Sequence, residues 1–286
     1  MTTYAVTGAT GHLGRLAVER LLETVPAGDV VAIVRDPERA ADLAAKGVAV
    51  RVADYGDLPA VVAALEGVDR LLLVSGSEVG KRIAQHGNVI DAARGAGVGR
   101  IVYTSAPAAT TSALILAPEH KATEEYLADS GIPHTIVRNN WYTDNYVRVV
   151  GAARETGEIV AAVGDGRVAS ATRADYAAGA VAALLDDSTE GKVFEFSGDT
   201  AWDFDELASV VGELIGRPVV YVRVSPDELV ERLTAAGVEA GGAGFAAALD
   251  ANIAAGLLGN ATHDLSTLLG RPTTPLREGL AAALPR

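Results

Sequence analysis

Between Thr7 and Gly14 the chain reads Thr-Gly-Ala-Thr-Gly-His-Leu-Gly, directly after the apolar run Tyr4-Ala5-Val6. The spacing G-x-x-G-x-x-G offers backbone chemistry rather than a reactive side chain. Gly8 permits a tight turn out of a strand, Gly11 lets the backbone come close to a diphosphate, and Gly14 lets the next helix pack closely. A helix opening here directs free N–H groups and partial positive charge at an anion. Apolar strand before and amphipathic run after, Leu13 to Leu22, favour a dinucleotide over a ligand-free glycine turn. Gly8, Thr10, Gly11, His12, Leu13 and Gly14 are therefore the first candidate cofactor ligands.

The second apolar run, Val30–Val34, ends at Arg35. A planar guanidinium at that place suits the 2′-phosphate of NADPH, where an acidic residue would suit the ribose hydroxyls of NADH. Asp36 follows directly, so NADH stays open as the alternative, and Arg39 lies one helical turn on. The fourth run ends at Ser75-Gly76-Ser77, small polar residues at a strand end where such sheets bind ligands. They are expected to border the adenosine side of the cofactor.

The elements that must hold these residues alternate. Apolar runs at Val30–Val34, Val48–Val52, Arg70–Val74, Arg100–Thr104 and His134–Val137 read as strands buried on both faces. Helical patterns lie around Leu13–Leu22, Glu38–Ala45, Leu58–Leu65, Ile83–Ala96 and Glu119–Asp129. Such alternation implies right-handed crossovers and an α/β, doubly wound parallel sheet of Rossmann type. Residues 1–140 are expected to form the nucleotide domain, with 172–198 returning to it. Residues 141–286 form a smaller α/β substrate lobe.

In that second part a helix is expected over Asp144–Arg154 and a strand near Ile159–Val163. Thr172 caps a helix running to Leu185, with Asp175 at its third position, and a strand Val193–Ser197 follows. Asp203 or Thr200 caps a helix Glu206–Ile215, and Val219–Val224 reads as a strand. Ser225-Pro226 opens another helix. The Gly- and Ala-rich stretch Gly237–Gly259 reads as a loose helical pair, with a mobile lid as the alternative.

The net charge of −13 leaves no basic surface for nucleic acid or anionic lipid. With 49% hydrophobic residues yet no run near the roughly 20 needed to cross a bilayer, the expectation is a globular cytoplasmic protein. The absence of cysteine excludes disulfides and thiolate chemistry. His12, His86, His120, His134 and His263 show no ligand spacing, so no metal is expected. No G-x-S-x-G elbow supports a hydrolase. The partners expected are a nucleotide and a small-molecule acceptor; a homo-oligomer is compatible with the pattern.

Taken together and in order, several segments resemble the atypical short-chain dehydrogenases of the NmrA-like type, and within them the bacterial NAD(P)H:quinone oxidoreductases. They are Thr7–Gly14, Ile33–Arg35, Ala53–Asp57, Ser77–Gly80, Arg138–Tyr142, Gly164–Gly166, Ala169–Tyr176 and Gly270–Thr274. The resemblance spans nearly the whole chain. It implies NADPH bound by the glycine loop, Arg35, Ser75–Ser77 and Asn139, Asn140, Trp141, Tyr142 and Thr143, with hydride passed to a quinone.

One departure matters. The Tyr-x-x-x-Lys pair of typical short-chain dehydrogenases is missing from Pro118–Tyr126, where His120 and Glu124 stand at that spacing instead. Ser105 ends the fifth strand, at the place of a catalytic serine. A quinone asks less of the protein, and His120 or Tyr142 can supply a proton, with Asn145 a further candidate. Gln85, with His86 and Asn88 near it, is expected to face the cleft. Trp141 and Tyr146 are expected to contact the acceptor from the other side. The competing reading is a non-catalytic protein that senses the NADP/NADPH ratio, as some NmrA-like proteins do.

Overall fold

The computed structural model describes residues 1–285. The first half alternates as expected: β1 (Tyr4–Thr7), α1 (His12–Leu21), β2 (Val30–Val34), α2 (Ala41–Ala45), β3 (Ala49–Val52), α3 (Leu58–Ala64), β4 (Arg70–Leu73), α4 (Arg82–Ala96), β5 (Arg100–Ser105), α5 (Ala117–Asp129) and β6 (His134–Asn139). There follow α6 (Val147–Thr156), β7 (Glu158–Ala161), α7 (Arg173–Leu185), β8 (Val193–Phe196), α8 (Phe204–Ile215), β9 (Val220–Arg223), α9 (Pro226–Ala235), α10 (Ala240–Ala254), α11 (Asp264–Leu269) and α12 (Leu276–Ala283).

Seven strands form one parallel sheet in the order β3-β2-β1-β4-β5-β6-β8. The order reverses between β1 and β4, so a crevice opens there at the carboxyl edge. Alternate side chains feed two cores. Val6, Val30, Ala32, Val34 and Leu72 face α1 and α7, whereas Ala5, Val31, Ile33, Leu71 and Leu73 face α3 and α4. α1 and α7 lie side by side, because β8 adds beyond β6 and returns α7 across the same face. β3 departs from expectation: it pairs only with β2, and its exposed Ala49 and Val52 mark an edge strand.

A second, two-stranded parallel sheet of β7 and β9 belongs to a separate core of α6, α8 and α12, centred on Tyr146, Trp202, Phe204 and Leu280. Local signals explain the ends. Thr172 accepts from the Asp175 N–H to start α7, and Asp203, not Thr200, forms a reciprocal capping box with Glu206 at α8. The helix expected from Asp144 begins as a 3-10 turn, Thr143–Tyr146, and becomes α-helical only at Val147. The Gly/Ala-rich stretch forms one helix, α10, packed against α9. It is anchored where Asp250 accepts from the Ala162 N–H at 2.7 Å and Asn252 accepts from the Ile115 N–H at 2.8 Å.

Candidate active site

The crevice at the β1/β4 switch point is a cleft of about 630 Å³, lined by Gly8, Thr10, Gly11, His12, Leu13 and Gly14 on one wall. Gly8 takes φ +58°, a left-handed turn that an L side chain resists. A Cβ on Gly14 would lie 2.3 Å from the Gly8 carbonyl oxygen, so the loop and α1 touch backbone to backbone. Gly11, the N-cap of α1, contributes no side-chain acceptor, which leaves the N–H groups of the first turn for a ligand.

The rest of the lining carries Arg35 and Arg39, then Ser75, Gly76, Ser77 and Gln85, and Tyr142 with Arg173. With Arg82, four arginines line the cleft together with the carboxylates of Asp36, Asp54 and Glu78, so in a protein of net charge −13 this opening carries a small excess of positive charge where an anion would bind. Arg35 is 67% exposed and projects into the opening, and Arg39 donates to the Thr10 carbonyl at 3.2 Å.

The floor is held by buried polar contacts. The Gly76 N–H donates to His86 Nε2 at 2.9 Å. His86 Nδ1 lies 2.9 Å from Thr123 Oγ1, which itself donates to the Glu119 carbonyl. That chain makes His86 a neutral imidazole protonated on Nδ1. Burial, then the nearby Arg82 charge, pushes its pKa down to about 4. His86 thus positions the Ser75–Ser77 loop instead of facing the cleft. Asn88 is likewise structural, donating to the Tyr55 carbonyl at 2.9 Å.

His120 requires a correction. It is buried, absent from the cleft wall, and 2.7 Å from Tyr103 Oη through Nδ1. Burial, the Arg82 charge and His86 together push it down to about 3, so near neutral pH it is the neutral imidazole and not an imidazolium able to act as a general acid. Ser105 is also engaged: it donates to Glu124 Oε1 at 2.6 Å, and the same carboxylate accepts two bonds from Arg138. The serine position of typical short-chain dehydrogenases has become part of a buried ion pair.

Of Asn139–Thr143, only Tyr142 reaches the cleft wall. Asn139 Nδ2 donates to Tyr142 Oη at 3.3 Å and leaves Asn139 Oδ1 buried without a protein partner. Asn140 is turned to the Leu258 carbonyl, and Thr143 pairs with Ser170. Trp141 packs against the small-lobe core. Tyr146 stacks edge-on to Trp202, 4.9 Å between centroids, so neither aromatic lies on this cleft. The five neighbouring side chains thus go to different partners, which a contiguous motif conceals.

Asn145 acts at one remove, accepting from Arg173 at 2.6 Å, while the Arg173 guanidinium lies 5.1 Å over the Tyr142 ring. Arg173, Arg82, Glu78 and Tyr55 are wall residues that sequence reasoning passed over. Arg173 follows the Thr172 cap directly. Its relevance depends on α7 lying beside α1, which brings the two helix N-termini to one opening. Among the described residues no three His, Asp or Glu side chains converge as a metal site, and no helix is long and apolar enough to cross a membrane.

Switch-point cleft, glycine loop and helix N-terminus define a dinucleotide-binding Rossmann protein. A family model described as NAD(P)H-binding matches residues 8–187, and the chain belongs to the NAD(P)H-binding, NmrA-like atypical short-chain dehydrogenases. It is 48% identical to quinone oxidoreductase 2 of Escherichia coli over 277 residues, 97% of each chain. The crystal structure of the NADPH-dependent quinone oxidoreductase from E. coli complexed with NADPH superposes with a TM-score of 0.94, covering 98% of this chain and 99% of that one. A triphenylmethane reductase of Citrobacter sp. complexed with NADP(H), 40% identical, also reaches 0.94 over 99% of this chain and 100% of that one.

Proposed function

We propose that this protein is an NADPH-dependent reductase of the cytoplasm that passes hydride to a quinone or a similar electron-poor acceptor. The observation that carries the proposal is the 48% identity, end to end, with quinone oxidoreductase 2. The cleft supports it: its volume fits a dinucleotide-sized ligand, and its arginines fit three phosphate groups. NADPH supplies the hydride when bound.

The protein's own residues bind and orient. The first turn of α1 and Arg173 hold the diphosphate, Arg35 and Arg39 the 2′-phosphate, and Ser75–Ser77 the adenosine side. Tyr142 Oη accepts from Asn139 and retains its own hydrogen to donate toward an oxyanion forming on the acceptor. Burial raises the pKa of that phenol, so it stays protonated through neutral pH. Bulk water then completes the proton balance at the open mouth of the cleft.

The test is loss of NADPH absorbance with a benzoquinone, a naphthoquinone, an azo dye and an enone. Turnover above the buffer rate is expected for at least one quinone. Arg35→Ala should raise the KM for NADPH by roughly ten- to a hundredfold, from loss of charge-assisted hydrogen bonds, and change that for NADH little. Tight NADPH binding with no turnover of any acceptor would refute the reductase and favour the sensing role.

A further inference from the structure

At the adenosine end of the cleft, Arg35 already has a partner. Its Nη1 lies 3.3 Å from Glu78 Oε1 and 4.0 Å from Asp54 Oδ2. The second Glu78 oxygen lies 2.9 Å from Lys81 Nζ. One carboxylate therefore bridges two cations, one oxygen to each. Glu78 sits in the connection from β4 to α4, just past Ser77, and its side chain is 36% exposed.

We infer that Glu78 is an exchangeable counter-ion: it occupies Arg35 when the cleft holds no 2′-phosphate, must swing off when one arrives, and so sets the preference between NADPH and NADH. The inference rests on the reading of Arg35 as the 2′-phosphate ligand. Glu78 and an incoming 2′-phosphate are both anions drawn to the same guanidinium, and Glu78 already takes its Nη1 at 3.3 Å, so the phosphate gains the whole fork and charge of Arg35 only when Glu78 moves off. The 2′-hydroxyl of NADH makes no such demand, so it displaces nothing.

The local charges sharpen the competition. Asp36, Asp54 and Glu78 line this end of the cleft against Arg35 and Arg39. Lys81 and, through its side chain, Gln85 hold the Glu78 carboxylate ionised, with its pKa below the usual range. A phosphate carrying nearly two negative charges enters against three carboxylates, of which Glu78 lies nearer the arginine than Asp54 does. Because the group is at the surface, its release is inexpensive and the effect is a selectivity bias rather than a block.

Glu78→Gln removes the charge and keeps the shape. NADPH and NADH dissociation constants should be measured by calorimetry, without any acceptor, for the wild type, Glu78→Gln, Glu78→Asp and Arg35→Ala. Removing one exposed carboxylate should tighten NADPH by roughly three- to tenfold and move NADH by less than twofold. The gain should shrink at high salt, as for any exposed charge effect. Glu78→Asp, still charged but shorter, should behave much more like the wild type. An NADPH/NADH affinity ratio unchanged or lowered in Glu78→Gln overturns the inference. Arg35→Ala with undiminished NADPH affinity would instead overturn the assignment of Arg35.

Discussion

Lowering the pH should weaken this protein through two buried imidazoles, His86 and His120. In the unfolded chain a histidine takes up its proton near pH 6.5. In the folded protein burial and the Arg82 charge hold these two at about 4 and about 3. The stability they permit is thus fully present above pH 6.5 and is lost as the pH falls toward those folded values. Between the two limits each histidine costs about 1.4 kcal/mol per pH unit, or about 2 kcal/mol each between pH 8 and pH 5.

Asp250 works the other way. Burial pushes its carboxyl up to about 6, so the folded form binds a proton before the unfolded chain does. The informative quantity is therefore a difference between two proteins, not one curve. His120→Gln keeps a polar group beside Tyr103 and cannot titrate. Urea unfolding at pH 8 and pH 5 should show the variant losing about 2 kcal/mol less than the wild type. Equal losses would refute the reasoning, because His120 would then not be a neutral group shielded from protonation. The same variant should keep quinone kcat within a few-fold, since a buried imidazole off the cleft donates nothing to the acceptor.

Gly14→Ala places a Cβ 2.3 Å from the Gly8 carbonyl oxygen. It should cost roughly 1–3 kcal/mol in thermal unfolding and weaken NADPH binding. Gly95→Ala, in α4 with nothing within 4 Å of the added carbon, should instead stabilise by about 0.4–1 kcal/mol. Glu124→Ala strips one partner from Arg138, whose side chain is only 12% exposed. The loss should be about 3 kcal/mol in urea, the low end for a broken buried pair because Glu195 still binds the arginine. Glu124→Gln, which can still hydrogen-bond, should lose less.

That the glycine loop and the ends of β2 and β4 line one cleft was legible in the chain because each signal is local. Gly8, Gly11 and Gly14 act on one another across seven residues, and Arg35 and Ser75–Ser77 follow strands whose apolar runs are unmistakable. The placement of the segment after β6 was not. Asn139–Thr143 reads as a block, yet Tyr142 lines the cleft while Trp141 packs on the small-lobe core and Asn140 turns to the Leu258 carbonyl. His120 looked like a proton donor by type and position; only packing against Tyr103 and α4 makes it a neutral, buried base.

What the amino-acid sequence by itself determined was the alternating pattern, the glycine turn, the helix cap at Thr172, and so the parallel sheet with a nucleotide crevice. These depend on propensities and spacings within a few residues. Tertiary structure alone decided that α7 lies against α1 and brings Arg173 to the cleft, that Glu78 meets Arg35 across 43 positions, and that Ser105 is tied to Glu124 and Arg138. Such pairings join groups far apart in the chain. Their energies depend on burial and on which charges face one another, and neither exists until the sheet has closed its neighbours together.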